Sequence, residues 1–199
     1  MSRSRFEGQI AGVGSASGVR VVIGAWSSSP LGSFADAMVE LPSGHRLLLA
    51  PRVEVADFIA STYTFDEIRI EPVDVTVGED WKLLSPSLTL GLTLGRRTPL
   101  GRVLRCVPDR VATSPAWCTV TDPFARLALR GVRTRGTARE GRREYYGATD
   151  TREIVSLSGR LESRELGALA PVDPPCRFGF SSTPRRPSVT TVVTTVVAA

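Results

Sequence analysis

The C-terminal segment SVTTVVTTVV (188–197) constrains the fold more than any other stretch of the chain. It consists almost entirely of Val and Thr, whose branched β-carbons lose rotamer freedom in a helix and pack well on a pleated sheet. SLTLGLTLG (87–95) adds strict alternation, with leucine at every second position and small or polar residues between. That period is typical of a strand with one buried face. Both segments predict β-strands, so the chain must fold around a sheet.

Glycines cluster between two predicted strands in AGVGSASGVRVVIGAW (11–26). A dinucleotide-binding loop requires a strand, GxGxxG and then a helix, because the pyrophosphate binds at the helix N-terminus. Here Ser17 stands in place of the third glycine, and a β-branched run that favours a strand follows. The chain also lacks the Gly-Lys-Ser/Thr sequence of a P-loop. We interpret residues 12–18 as the turn of a β-hairpin and expect no nucleotide cofactor.

Three segments change to a helical period. PRVEVADFIASTY (51–63) begins with proline and places apolar residues at helical spacing. TPLGRVLRCV (98–107) and DPFARLALRG (122–131) each begin with a capping residue followed by proline. The spacing predicts short helices near 51–63, 98–107 and 122–130. It also predicts that residues 98–131 form a helical insertion or lid.

The remaining segments are short, alternating and bounded by Gly and Pro, without regular alternation of strands and helices. This pattern predicts a mainly β fold, an antiparallel β-barrel or curved sandwich of about ten strands with a few short helices. The length of 199 residues predicts one domain, 1–199. No apolar run approaches the ~18–20 residues of a membrane span. Since the N-terminal segment has no apolar signal region, we expect a soluble, cytoplasmic protein.

Residues that carry metal or nucleophilic chemistry are sparse. His45 is the only histidine, and Cys106, Cys118 and Cys176 form no CxxC pair, so we expect no metal site and no cofactor. We expect all three cysteines to be reduced and buried. Lys82 is the only lysine, and it would form a Schiff base only from a buried position. The sequence assigns no catalytic residue.

The string REYYGATD (143–150) resembles the Arg-Glu-x-x-Gly-x-Pro-Lys motif of acetoacetate decarboxylases. Thr149 and Asp150, however, stand where that motif has proline and the Schiff-base lysine. The rest of the chain does not follow the spacing of that family. We therefore attribute the match to coincidence and infer neither the family nor its chemistry.

Arginines give the clearest indication of a binding site. VRTRGTAREGRRE (132–144) places Arg133, Arg135 and Arg139 at one parity, so that one face of a strand would present all three. Arginine binds carboxylates and phosphates through two parallel hydrogen bonds. The pair Glu140-Gly141 predicts a hairpin turn within 131–147, and Tyr145, which follows it, adds a hydrogen-bond donor. The sequence predicts that Arg133, Arg135 and Tyr145 bind a small amphipathic anion, such as a lipid-like carboxylate, in the barrel.

Two other functions stay open at the level of sequence. The first is an enzyme that acts on a small molecule in the same cavity through carboxylates, tyrosines or Lys82. The second is the binding of an acidic macromolecule through the Arg-rich segment 126–143. Nucleic acid is disfavoured as a partner, because aromatic residues do not alternate with the arginines to stack bases. An empty cavity would support a small ligand, and a filled core with outward-facing arginines would support the macromolecule.

Overall fold

The computed structural model of the chain describes residues 2–129, 132–137 and 143–198. In this part of the chain the fold is mainly β, with a ten-strand sheet path curled into a half-barrel and a few short helices. The predicted fold class is thus confirmed. None of the described helices is long and apolar enough to cross a membrane.

The strands and helices follow one another along the chain with short connections. The strands are β1 (Ser2–Ser15), β2 (Arg20–Ser28), β3 (Phe34–Glu40), β4 (Arg46–Ala50), β5 (Glu67–Ile70), β6 (Asp74–Thr76), β7 (Asp80–Leu84), β8 (Leu88–Arg97), β9 (Arg135–Thr137), β10 (Arg143–Leu161), β11 (Arg164–Glu165), β12 (Leu169–Ala170) and β13 (Ser188–Ala198). The helices are α1 (Val53–Ala60), α2 (Pro99–Leu104), α3 (Asp109–Ala112) and α4 (Pro115–Ala128).

The sheet runs in the order β5-β4-β3-β2-β1-β13-β10-β8-β7-β6. Every neighbouring pair on this path is antiparallel except β4 and β5, which are parallel. The short strands β9 and β11 pair with β10, and β12 pairs with β1. The pairing of β10 shifts register against both β13 and β8, and such irregularities bend and twist a strand. The long strand β10 therefore contributes to the curl of the sheet.

The curl brings the two outer strands of the path close together. The chain passes from β5 at one edge to β6 at the other through residues 71–73 alone, a connection that spans at most roughly 10–15 Å. The Glu71 carboxylate in this connection accepts hydrogen bonds from the hydroxyls of Ser85 and Ser87, next to β7 and β8. Polar side chains therefore bridge the open side of the half-barrel.

One face of the sheet forms a packed core inside the half-barrel. Leu88, Leu90 and Leu92 of β8 are almost fully buried, and they belong to the same apolar cluster as Val21 and Ile23 of β2. Strands β2 and β8 are separated by three others in the sheet, and only the concave face of a curled sheet brings such strands into one cluster. The leucines of SLTLGLTLG therefore fill the core, and the cavities that Val22 and Met38 line, described below, lie on the other face of the sheet.

The other face carries a second apolar layer, which α1 and the segment 172–184 cover. Helix α1 packs Val55, Ala56 and Ile59 against Leu48 of β4. In the covering segment, Val172, Cys176 and Phe178 pack on Val22 of β2. Helices α2, α3 and α4 lie against β10. The predicted helical insertion thus adjoins the same strand as the cavities.

The predicted start of the last helix at Asp122 is wrong. Helix α4 begins at Pro115, and the Ser114 hydroxyl caps it by accepting the N–H of Trp117 at 3.2 Å. The Asp122 carboxylate is buried, and it accepts the N–H groups of Thr134 at 3.0 Å and Arg135 at 3.2 Å. An Asp-Pro pair is typical of a helix start, but here a longer-range contact determines the position of the aspartate.

The predicted β1–β2 hairpin is confirmed, with a shorter turn than residues 12–18. Gly18 has a φ of +81°, the left-handed conformation that glycine adopts most readily. Gly14 lies within β1, where a β-carbon would lie 2.1 Å from the carbonyl oxygen of Pro171. This glycine therefore permits the close approach of a distant loop and contributes no turn, and no helix follows the glycines.

The cysteines differ in exposure, so the prediction that all three are buried is wrong for Cys106, which is exposed. Burial raises the pKa of Cys118 to about 11 and that of Cys176 to about 12. Since the thiolate is the reactive form, we expect a thiol reagent at pH 8 to modify Cys106 alone in the native protein. The same reagent should modify all three cysteines in denaturant. Rapid native modification of more than one thiol would contradict this result.

Candidate ligand-binding site

The β9–β10 hairpin brings the predicted binding residues together. In the antiparallel register Arg135 lies opposite Tyr145, and Thr137 lies opposite Arg143. Residues at directly paired positions project from the same face of a sheet, so these four side chains share one face. Arg139, the third arginine of the predicted set, lies outside the described residues.

A cleft of about 400 Å³ lies at this hairpin, and we call it the cationic cleft. Arg133, Arg135 and Tyr145, the three residues predicted from the sequence, all line it. The remaining lining residues are Gly136, Thr137, Arg143 and Phe180. Phe180 closes one side, and its ring lies where a β-carbon at position 136 would be, so glycine is needed there.

The positive charge of the cationic cleft is only partly balanced. The Arg133 guanidinium lies 3.7 Å from the buried carboxylate of Asp122. Arg135 donates a long hydrogen bond of 3.4 Å to the hydroxyl of Thr119. Within the described ranges, neither Arg135 nor Arg143 forms an ion pair with a carboxylate. Two guanidinium groups are therefore available to a negatively charged ligand.

An apolar cavity of about 140 Å³ adjoins the cationic cleft, and Arg133 lines both. We call it the apolar cavity; Ile10, Val22 and Met38 form its wall on the sheet. The segment 172–184 and residues 132–134 contribute Val132, Thr134, Cys176, Phe178, Ser181, Ser182, Thr183 and Pro184, and the other lining residues are Tyr63, Tyr146, Ala148, Ser188, Thr190 and Val192. Arg133 therefore lies between an apolar space and a cationic one.

Polar atoms at the edge of the apolar cavity have unused hydrogen-bonding capacity. The Arg133 Nε, the Thr183 Oγ1 and the Ser188 Oγ are buried and have no hydrogen-bond partner among the described residues. All three residues line the apolar cavity. A few polar groups in an apolar wall are typical of small-molecule sites, where they determine the orientation of the ligand.

A second cavity, of about 70 Å³, lies on the same face of the sheet as the apolar cavity, and we call it the aromatic cavity. Tyr63 and Tyr146 line both this cavity and the apolar one. Their hydroxyls contact each other and lie 3.2 Å and 2.9 Å, respectively, from Glu144 Oε2. Because each hydroxyl has one proton, two of these three contacts can be hydrogen bonds at one time. Loss of solvation, followed by the charge of Glu144, raises the pKa of both phenols well above its usual range. Both tyrosines therefore remain protonated hydrogen-bond donors.

Asp36 is the other acidic residue of the aromatic cavity. It is 4% exposed, and its Oδ1 accepts a hydrogen bond from Trp26 Nε1 at 3.0 Å. Gly24, paired with Asp36 across β2 and β3, leaves the space for this bond, because a β-carbon there would lie 2.5 Å from both atoms. Burial raises the pKa of Asp36 to about 7, and the Trp26 hydrogen bond opposes that shift.

Sequence reasoning missed Asp36, Tyr63, Glu144 and Tyr146. One signal for Asp36 was present, since FADAMVE places an acid between Phe34 and Met38, two apolar residues of the same parity. Glu144 and Tyr146 have the opposite parity to Tyr145 on β10, so they project from the other face of that strand. Tyr63 lies between α1 and β5, and the sequence around it contains no pattern that predicts its contact with Glu144 and Tyr146.

The other residues considered from the sequence lie away from these cavities. Lys82 is exposed on β7, so it does not meet the condition of burial for a Schiff-base lysine. His45 is partly exposed, and its Nε2 lies 3.1 Å from Glu67 Oε2. In the part of the chain that the structure describes, no group of three or more His, Cys, Asp and Glu residues could hold a metal ion.

Comparison with known proteins adds no relative from which a function could be transferred. No family model, no curated protein and no solved structure matches this chain. The function must therefore be inferred from the geometry of the site itself.

Proposed function

We propose that this protein binds a small amphipathic anion in a site that extends from the β9–β10 hairpin to the apolar cavity. The anionic headgroup would lie in the cationic cleft, and the apolar body would lie in the apolar cavity. The observation that carries the proposal is the position of Arg133, which lines both spaces. A ligand held by this residue would extend from a charged environment into an apolar one without leaving the protein.

The hydrogen-bonding state of Arg133 supports an anionic headgroup. Its Nε is buried without a partner within the described residues, and its only carboxylate neighbour there lies 3.7 Å away. A carboxylate that accepts from Nε and a terminal nitrogen would satisfy the planar fork of the guanidinium. Tyr145 lies opposite Arg135 across the hairpin, so its hydroxyl could donate a further bond.

The size of the apolar cavity restricts the ligand body. A dry cavity of ~150 Å³ holds one benzene molecule, and the apolar cavity has a volume of about 140 Å³. A single aromatic ring or a short alkyl chain therefore fits, whereas a long fatty acyl chain does not. The proposed ligand class is a short-chain or monoaromatic carboxylate.

The apolar cavity beside Arg133 distinguishes this proposal from the binding of an acidic macromolecule through segment 126–143. Arg135 and Arg143 are exposed and would attract either kind of anion. Arg133 also lines an apolar cavity, which suits the apolar body of a small ligand and has no role in binding a polyanion. Arg126 on α4 is exposed and does not line the cleft. An enzymatic role in the same cavities would require a reacting group, and the proposal assigns none.

Replacing Arg133 with alanine is expected to weaken the binding of phenylacetate about ten- to hundredfold. A lost charge-assisted hydrogen bond corresponds to roughly 1.5–3 kcal/mol, and 1.4 kcal/mol is a factor of ten in affinity. Isothermal titration calorimetry with the parent, Arg133→Ala and Arg110→Ala would measure the effect. Arg110 is exposed on α3 and lines neither space, so Arg110→Ala should bind like the parent.

Two further ligands separate the alternatives. Benzyl alcohol, which has the ring without the charge, should bind the parent much more weakly than phenylacetate. If heparin binds the parent while phenylacetate shows no saturable binding at millimolar concentration, the small-anion proposal is wrong and the acidic-macromolecule function is favoured. Equal phenylacetate affinities for the parent and Arg133→Ala would also overturn the proposal.

A further inference from the structure

The aromatic cavity has an unusual combination of walls. Phe6 contacts Trp26 edge-on at a centroid distance of 5.9 Å and packs at a tilt on Phe58 at 4.7 Å. Phe34 completes the group, with centroid distances of 6.5 Å to Phe6 and 6.4 Å to Trp26. All four rings line the cavity. Aromatic faces attract cations through the negative potential above the ring.

The polar atoms of this cavity are acidic or neutral. Asp36 and Glu144 line it and are 4% and 3% exposed, respectively. No Lys, Arg or His is among the described residues that line it. The acidic lining of the aromatic cavity is opposite in charge to the cationic cleft. The anion of the proposed function would therefore not be stable in the aromatic cavity.

Two threonine hydroxyls point to a missing hydrogen-bonding partner. Thr62 and Thr194 are each 5% exposed and line the aromatic cavity. The Oγ1 of each has no hydrogen-bond partner among the residues that the structure describes. Buried hydroxyls are normally paired, because an unpaired polar group loses its hydration without compensation. These two atoms are observed independently of the acidic residues.

We propose that the aromatic cavity binds a small primary alkylammonium ion. The ammonium group has three N–H donors and no acceptor, as in lysine, and it would donate to Asp36 and to the threonine hydroxyls. The aromatic rings would surround its alkyl chain and contribute cation–π attraction. A quaternary ammonium has no N–H donor and would leave the threonines unsatisfied. This second site has the opposite charge preference and does not depend on the proposed function.

Propylammonium is a suitable probe, because the cavity volume of about 70 Å³ admits only a few heavy atoms. An alkylammonium resembles the lysine side chain, with a pKa near 10.4, and remains charged at pH 8.5. Calorimetric titration at that pH is expected to show saturable binding to the parent. The uncharged isostere 1-propanol should bind at least tenfold more weakly, and Arg133→Ala should bind propylammonium like the parent.

Matched variants test the assigned contacts. Asp36→Asn keeps the shape and the acceptor for Trp26 but removes the charge, and it should weaken propylammonium binding at least tenfold. Thr194→Val replaces a hydroxyl by a methyl group and should weaken binding severalfold. Asp57→Asn is the control, because Asp57 is exposed on α1 and does not line the cavity. The absence of saturable binding to the parent, or equal affinity for the parent and Asp36→Asn, would overturn the proposal. Preferred binding of tetramethylammonium would also overturn it.

Discussion

Replacement of Glu40 by glutamine is expected to lower the free energy of unfolding by about 3–5 kcal/mol, the cost of breaking a buried ion pair at one partner. Glu40 is 0% exposed, and its Oε1 lies 3.1 Å from the guanidinium of Arg20, whose side chain is 5% exposed. Glutamine keeps the volume but leaves the Arg20 charge buried without a carboxylate. The glutamine amide oxygen could still accept one hydrogen bond from Arg20, besides those that the carbonyls of Pro174 and Leu41 accept, but none of these groups carries a negative charge.

The same carboxylate anchors the segment that covers the apolar cavity. The backbone N–H of Arg177 donates to Glu40 Oε2 at 2.7 Å, and the Arg177 Nε donates to Oε1 at 3.2 Å. Cys176 and Phe178, which flank Arg177 in the chain, line the apolar cavity. Loss of the carboxylate therefore weakens the attachment of segment 172–184 as well as the ion pair in the core.

Urea unfolding of the parent, Glu40→Gln and Glu79→Gln would measure this effect. Glu79 also pairs with an arginine, Arg152, at 2.9 Å, but its side chain is 78% exposed. Exposed ion pairs contribute little to stability, so Glu79→Gln should unfold close to the parent. If the two variants lose the same stability, burial is not what makes the Glu40 pair important.

Replacement of Asp36 by asparagine is expected to stabilise the protein at alkaline pH by roughly 4 kcal/mol at most. The pKa of Asp36 is raised from 3.8 to about 7 in the folded protein. The folded state therefore holds a proton that the unfolded state releases, and the stability of the parent falls as the pH rises from about 4 to 7. Asparagine does not titrate, so it removes this loss while keeping an acceptor for Trp26.

The difference in unfolding free energy between Asp36→Asn and the parent should depend on pH in a defined way. It should be smallest near pH 4, increase by at most ~1.4 kcal/mol per pH unit, and level off above the folded pKa of about 7. The other groups around Asp36 do not produce this pH dependence. Trp26 does not titrate, and the pKa of Tyr63 lies well above this range. Glu144 is present in both proteins, so its titration contributes to both. Asp57→Asn, at an exposed position, should show no such trend. A difference that is independent of pH would mean that Asp36 is not protonated in the folded state.

Local features of the sequence determined which segments form strands. They also determined that the hairpin arginines lie on a common face. The β-branched run that forms β13 and the alternation in β8 specify extended backbone through the side chains of each strand alone. Parity places Arg133, Arg135 and Tyr145 together, because residues two apart, and residues paired across a short hairpin, are neighbours whatever the rest of the fold does. The hairpin of β1 and β2 follows from the same kind of local information.

Only the tertiary structure decided which side of the sheet is filled and where the cavities lie. Alternation shows that the leucines of β8 share a face, but the curl of the sheet places that face inside a packed core with β2. Gly14 faces a loop more than 150 residues later in the chain, and the Asp122 carboxylate accepts the N–H groups of Thr134 and Arg135 instead of capping a helix. The acid of β3, the tyrosine after α1 and the two residues of β10 meet in one cavity. Such contacts join distant parts of the chain, and a pattern within one strand or helix carries no information about them.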